Sequence, residues 1–146
     1  MSTPTATLTL SNVVFHTLPT FSTATFSLTS SDPTADFSFD NVGNTLTIQA
    51  ASTTAQVEIT FVLDDANHIL TGLAFMPDGS AEVGRRAFPD IAVSRSTTCS
   101  TLVVTDDYSL NGTVAQTFPF VLLIQRVSDG HVGGIDPGII NNPNEN

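Results

Sequence analysis

The sequence predicts an all-β fold: a single antiparallel β-sandwich, immunoglobulin-like or jelly-roll-like, with about 8–10 short strands. Strand-forming residues dominate the 146 positions, with 22 Thr and 10 Phe. Helix signals are nearly absent, because the chain has no Lys, only three Glu, and no Leu at helical spacing. Turn residues recur at intervals of about 8–12 positions, which is typical of sandwiches.

The predicted strands alternate with turn sequences along the whole chain. In order, they cover residues 5–10, 13–17, 21–29, 37–39, 45–50, 56–63, 69–75, 91–94, 98–105 and 113–127, and residues 131–135 are expected to pair once more. Residues 30–33 and 41–44 are rich in Asp, Asn, Pro and Gly, and therefore separate the early strands as turns. Residues 81–89 show no alternation, which predicts a loop.

Segment 56–63 gives the clearest strand signal. The apolar residues of this segment share one face and are Val57, Ile59, Phe61 and Leu63. Polar residues occupy the other face, which is the period-two pattern of a half-buried antiparallel strand. The turn sequence 64–67 follows, so we expect segment 69–75 to return as the hairpin partner of this strand.

Segment 113–127 is apolar on both faces near its end, which predicts either a central strand covered on both sides or a strand bent across two sheets. Phe118, Phe120 and Leu122 alternate with Val121 and Leu123, so neither face is polar. Proline cannot donate a hydrogen bond to a neighbouring strand, so Pro119 predicts a bulge or an edge position at that point.

The length fits one domain, which we place at residues 1–140. Residues 141–146 read Asn-Asn-Pro-Asn-Glu-Asn and are expected to form a polar C-terminal tail. A chain of this length can bury a substantial hydrophobic core without disulfides. The single cysteine, Cys99, excludes an intramolecular disulfide.

The charge balance argues against two classes of partner. The formal net charge is −10, with four Arg and no Lys, whereas nucleic acids and anionic membranes are bound by clustered basic residues. The first residues show neither a basic nor an apolar signal region, so we expect a cytoplasmic protein, with signal-independent export left open.

Aspartates at predicted strand ends form the main candidate site. Asp64 and Asp65 follow one strand, and Asp106 and Asp107 follow another. Calcium takes several oxygen ligands from converging loops, so these four residues would form a Ca²⁺ site if the fold brought them together. The alternative is that these aspartates serve only as turn residues, which aspartate favours for local hydrogen-bonding reasons. We therefore expect no cofactor, and calcium is the one ion that the sequence leaves open.

The remaining candidates favour binding over catalysis. Arg85 and Arg86 form the one basic doublet, suited to an acidic surface on a partner or on another copy of this chain. His16, His68 and His131 lie far apart in the sequence and show no zinc-site spacing. The glycine patterns of hydrolase and nucleotide-binding motifs are absent.

The sequence therefore predicts a non-catalytic interaction or assembly module with protein partners, including copies of itself. Sheet edges without Lys lack a common protection against strand pairing, which favours association through surface or edge-strand contacts. The alternative is a calcium-assisted carbohydrate-binding module that uses the Asp and Asn loops. A hydrolase is the third and least favoured interpretation.

Overall fold

A computed structural model describes residues 3–31, 35–51, 53–75, 91–95, 101–108 and 115–142. Every regular element in this part of the chain is a strand, as the composition predicts. The strands are β1 (Thr5–Val14), β2 (Thr23–Ser31), β3 (Asp36–Asp40), β4 (Thr45–Gln49), β5 (Val57–Leu63), β6 (His68–Phe75), β7 (Ile91–Arg95), β8 (Thr101–Asp106), β9 (Gln116–Arg126), β10 (Val132–Ile135) and β11 (Gly138–Asn141).

The strands form two mixed sheets. The first sheet has the order β2-β1-β5-β8-β7. The second has the order β3-β4-β11-β9, and β10 and β6 also pair with β9. Strands β10 and β11 lie end to end along the same side of β9, because Ile135 pairs with Leu122 and Gly138 pairs with Pro119 without a change of register.

The expected all-antiparallel pairing is not what the structure contains. Strand β1 runs parallel to β5, and β4 runs parallel to β11. Parallel neighbours need a long connection, and here each pair is joined through several intervening strands. Sequence periodicity reports which face of a strand is buried, but it carries no information on the direction of its neighbour.

The expected hairpin between β5 and β6 is also wrong. Strand β6 pairs antiparallel with β9 in the second sheet, from His68 opposite Arg126 to Phe75 opposite Phe120. The turn between β5 and β6 therefore carries the chain from one sheet to the other. Such a turn has the same polar composition as a hairpin turn, so the local sequence could not distinguish the two.

Both sheets contribute to one hydrophobic core. Its large, fully buried side chains include Leu8, Leu10, Leu46, Ile48, Phe61, Leu102, Phe118, Phe120 and Leu122. The ring of Phe61 meets the ring of Phe120 edge to face, with 5.8 Å between centroids, which joins β5 to β9 across the core. The Phe26 and Phe39 rings stack at 4.9 Å and join β2 to β3 in the same way.

Strand β9 is central, as its two apolar faces predict. Within the described residues, β6 pairs with it from Arg126 to Phe120, and the description of β6 ends at Phe75. The amide of Phe120 donates to the carbonyl of Pro137 on the β11 side. Because successive amides alternate in direction, the nitrogen of Pro119 faces the β6 side, opposite a position that lies outside the described residues, so its expected bulge or edge position stays a prediction.

Strand β11 extends one residue into the segment expected to be a polar tail. Asn141 is fully buried and pairs with Ile48 and Gln116 on either side. The amide of Asn142 donates to the carbonyl of Ile48 at 2.8 Å. Ordered backbone pairing therefore continues to residue 142 although the sequence there is entirely polar.

Candidate functional site

The four candidate aspartates lie at two opposite ends of β5. Asp64 and Asp65 directly follow this strand, whereas Asp106 pairs with Val57 at its beginning. Seven residues of strand span about 20 Å. A single calcium ion therefore cannot bind both pairs. Among the residues that the structure describes, no group of three or more His, Cys, Asp or Glu side chains is arranged to hold a metal.

Several of these aspartates have local partners. The Asp65 carboxylate accepts the amide of Asn67 at 2.7 Å, closing the turn that leads into β6. The side chain of Gln56 donates to Asp107 at 2.8 Å. Asp106 is fully buried beside Tyr108. The turn preference of aspartate accounts for the contacts of Asp65.

The basic doublet singled out in the sequence, Arg85 and Arg86, lies outside the described residues, and so does Cys99.

Arg126 is described, and it belongs to a side-chain network at one end of the molecule. The Arg126 guanidinium lies 4.5 Å from the centroid of the Phe15 ring. The Phe15 ring also stacks on the His68 ring, with 5.3 Å between centroids.

Carboxylates hold the two ends of this network. Arg126 donates to Asp129 through Nε at 3.1 Å and also through Nη2. These bonds, with a further one from the amide of His131, hold the pKa of the Asp129 carboxyl far below its ordinary value. The Nδ1 atom of His68 lies 3.1 Å from Asp65. Sequence reasoning missed this arrangement, because His16, His68 and His131 approach the same end only through the fold.

The β1–β2 loop covers strand β10 at this same end. The Ser22 amide donates to the carbonyl of Gly134 at 2.7 Å. The Ser22 hydroxyl accepts the amide of His16 and donates to the carbonyl of the same residue, which closes the loop. Gly133 permits the approach, since a Cβ there would lie 2.8 Å from the His16 carbonyl oxygen. This loop includes a cis peptide bond between Leu18 and Pro19.

Several exposed apolar side chains lie in the loop, at the end of β1, or at the adjoining ends of β9 and β10. They are Val14, Leu18, Phe21, Val127 and Val132, each between 40% and 59% exposed. Leu18 is packed on one side, because a Cβ on Gly134 would lie 3.1 Å from its Cδ2 atom. Part of this apolar surface therefore serves to anchor the loop.

The edge formed by β2 has a different chemistry. Within the described part of the chain, β2 has a strand neighbour on one side only, which is β1. Its nine residues, Thr-Ala-Thr-Phe-Ser-Leu-Thr-Ser-Ser, include no charge and no proline. The side chains of Thr23, Thr25, Ser27 and Thr29 are exposed, whereas Phe26 is buried in the core.

The corresponding edge of the second sheet is charged. Strand β3 reads Asp-Phe-Ser-Phe-Asp, with Asp36 and Asp40 exposed at its two ends. Charged residues on an edge strand discourage pairing with another chain. Strands β2 and β3 form neighbouring edges in the described residues. The β3 edge is protected against pairing by its two aspartates, whereas the β2 edge carries no charge.

No protein-family model and no curated protein sequence matches this chain. Among the described residues, no helix is long and apolar enough to cross a membrane.

Proposed function

We propose that this protein is a non-catalytic interaction module: a β-sandwich that binds protein partners by adding an extended strand to the free edge of β2. The single core shared by both sheets supports the sandwich architecture. The observation that carries the binding proposal is the uncharged, proline-free edge of β2, nine residues long.

An edge strand offers a row of unpaired backbone donors and acceptors, which an incoming strand can satisfy. On β2 the exposed side chains are small hydroxyl residues, at Thr25, Ser27 and Thr29, which leave the edge accessible. Phe26 anchors the strand in the core, and Leu28 is half-buried beside it. The edge is therefore held in place from within, while its other side has no strand partner in the part of the chain that the structure describes.

The apolar end near Leu18 and Phe21 is a weaker candidate. Leu18 contacts β10, and the loop that carries both residues is fixed by Ser22 and the Phe15 network. These contacts give the apolar residues a structural role. Apart from β1, no described strand pairs with β2, although its Phe26 ring stacks on Phe39 of β3 in the core.

Selection of extended peptides, matched in length to β2, tests the proposal. Peptides selected on the wild-type protein should protect β2 amides from hydrogen exchange and should bind the Ser27→Lys variant more weakly. The matched control is Ser38→Lys, which adds the same charge at the centre of the β3 edge and should leave peptide binding unchanged.

Enrichment of peptides that bind equally well to wild type and to Ser27→Lys would contradict the proposal. Such peptides would identify a surface other than the β2 edge. A library that yields no binder at all would also count against it.

A further inference from the structure

We propose that the natural occupant of the β2 edge is β2 of a second copy of this chain, paired antiparallel about a two-fold axis centred on Ser27. This inference depends on the proposed function, because it names the partner for the same edge. Pairing would join the two first sheets into one continuous ten-stranded sheet.

Of the two edges β2 and β3, the distribution of charge makes β2 the one suited to contact a second copy. Each chain carries a formal net charge of −10, so two copies repel one another over most of their surfaces. A contact between identical acidic chains is least unfavourable where neither surface contributes a carboxylate. All nine residues of β2 are uncharged, so self-pairing there places no like charges opposite each other.

The β3 edge shows the opposite arrangement. In antiparallel pairing about a two-fold axis at Ser38, Asp36 of one copy would lie opposite Asp40 of the other. The symmetry would repeat the contact, giving two carboxylate pairs in a five-residue strand. Like charges directly opposite each other destabilise a strand pair, so β3 excludes the contact that β2 permits.

The proposed axis also places compatible side chains opposite each other. With Ser27 opposite its own copy, Phe26 lies opposite Leu28 and Thr25 lies opposite Thr29. Directly opposed residues point to the same face, so the apolar pair remains on the core side and the hydroxyl pair on the exposed side. Pairs of both kinds stabilise antiparallel strands.

Two irregularities limit the strength of this contact. The pairing of β1 with β2 shifts register after Thr7 and again after Ser11, near Asn12 with its positive φ of 52°. Between these shifts, the regular ladder covers residues 25–28 of β2. Bulges twist an edge strand, so the association should be reversible and dependent on concentration.

Placing a positive or a negative charge at Ser27 tests the inference. Sedimentation equilibrium of the wild-type chain should show a monomer–dimer equilibrium. Ser27→Lys and Ser27→Glu should each raise the dimer dissociation constant by about fivefold or more at low salt, since like charges would meet at the axis. An equimolar mixture of the two variants should recover the wild-type constant or a lower one.

Ser38→Lys and Ser38→Glu are the matched controls, because they change the net charge equally on the β3 edge. Both should dimerise with nearly the wild-type constant. A wild-type chain that remains monomeric at millimolar concentration would overturn the inference, and so would a Ser27 mixture that fails to recover association.

The peptide experiment distinguishes this failure from failure of the proposed function. A monomeric chain whose β2 edge still binds selected peptides would retain the interaction module and exclude the second copy as its partner. A chain that shows neither behaviour would lose both proposals.

Discussion

At the scale of single residues, Tyr108 connects the two sheets by hydrogen bonds. It follows β8 in the first sheet, and its side chain is fully buried. The hydroxyl donates to the carbonyl of Ile48 and accepts the amide of Ala50, both at 3.2 Å, at the end of β4 in the second sheet. One side chain thereby satisfies backbone groups in the other sheet and fixes the spacing at this end.

Replacing Tyr108 with Phe should therefore destabilise the fold while retaining the aromatic packing. The amide of Ala50 would lose this buried partner, at a cost of about 1–3 kcal/mol, whereas the carbonyl of Ile48 would still accept the amide of Asn142. Urea unfolding followed by circular dichroism would measure the loss. An unchanged free energy of unfolding would show that the two hydrogen bonds contribute nothing net.

Alkaline pH should destabilise the protein through the same residue. Burial raises the pKa of Tyr108 above its ordinary value of 10.0. Above that pH the unfolded chain loses the phenol proton while the folded chain retains it, so the free energy of unfolding falls as the pH rises. Since this is the only tyrosine and the chain has no tryptophan, ultraviolet titration reports the phenolate directly.

The Tyr108→Phe variant is the control for this pH dependence. Its free energy of unfolding should decline less between neutral and strongly alkaline pH than that of the wild type. Parallel declines in the two proteins would contradict the assignment.

Asp129 should produce a pH dependence at the acid end. Its pKa is lowered by the hydrogen bond from Arg126 and by the amide of His131. The stabilisation is therefore present above the ordinary aspartate value of 3.8 and is lost as the pH falls below it, because the unfolded chain takes up the proton first.

As the pH falls below about 5, through the range in which aspartate ordinarily titrates, the Tm of the Asp129→Asn variant should decline less steeply than that of the wild type. Asp36→Asn removes the same charge from an exposed position on β3 and serves as the control. Identical pH profiles for wild type and Asp129→Asn would contradict the role of the Arg126 pair.

At the scale of elements, the β1–β2 loop is fixed by close backbone approach to β10. Gly133 and Gly134 allow this approach, since a Cβ on Gly133 would lie 2.8 Å from the His16 carbonyl oxygen and a Cβ on Gly134 would lie 3.1 Å from Cδ2 of Leu18. Ser22 then fixes the loop by hydrogen bonds to His16 and Gly134. The loop therefore connects β1 to β2 in the first sheet and also contacts β10 of the second sheet.

Gly133→Ala should loosen this loop. The new Cβ would meet the His16 carbonyl oxygen at 2.8 Å and the Phe15 ring at 2.9 Å, so the loop must move, at a cost of about 1–3 kcal/mol. Faster hydrogen exchange at the Ser22 amide should accompany the loss of stability. Gly72→Ala is the control, because a Cβ at Gly72 would meet no atom within 4 Å, and exchange in the loop should remain as in the wild type.

At the scale of the whole molecule, the two sheets have the same sequence of strand directions. Starting from the neighbouring edges β2 and β3, each sheet continues with an antiparallel, a parallel, an antiparallel and a further antiparallel pair. The β2 and β3 edges therefore differ in charge rather than in topology.

Side-chain composition and periodicity are enough to predict the all-β class, the alternation of segment 56–63 and the central position of β9, because each is a local property of the chain. The choice of a neighbouring strand is not local. The parallel neighbours of β1 and β4, the crossing of β6 to the second sheet, and the separation of Asp64 from Asp106 depend on which faces meet in the core. These features appear only in the folded molecule, because a turn or strand of the same composition fits several partners until packing selects one.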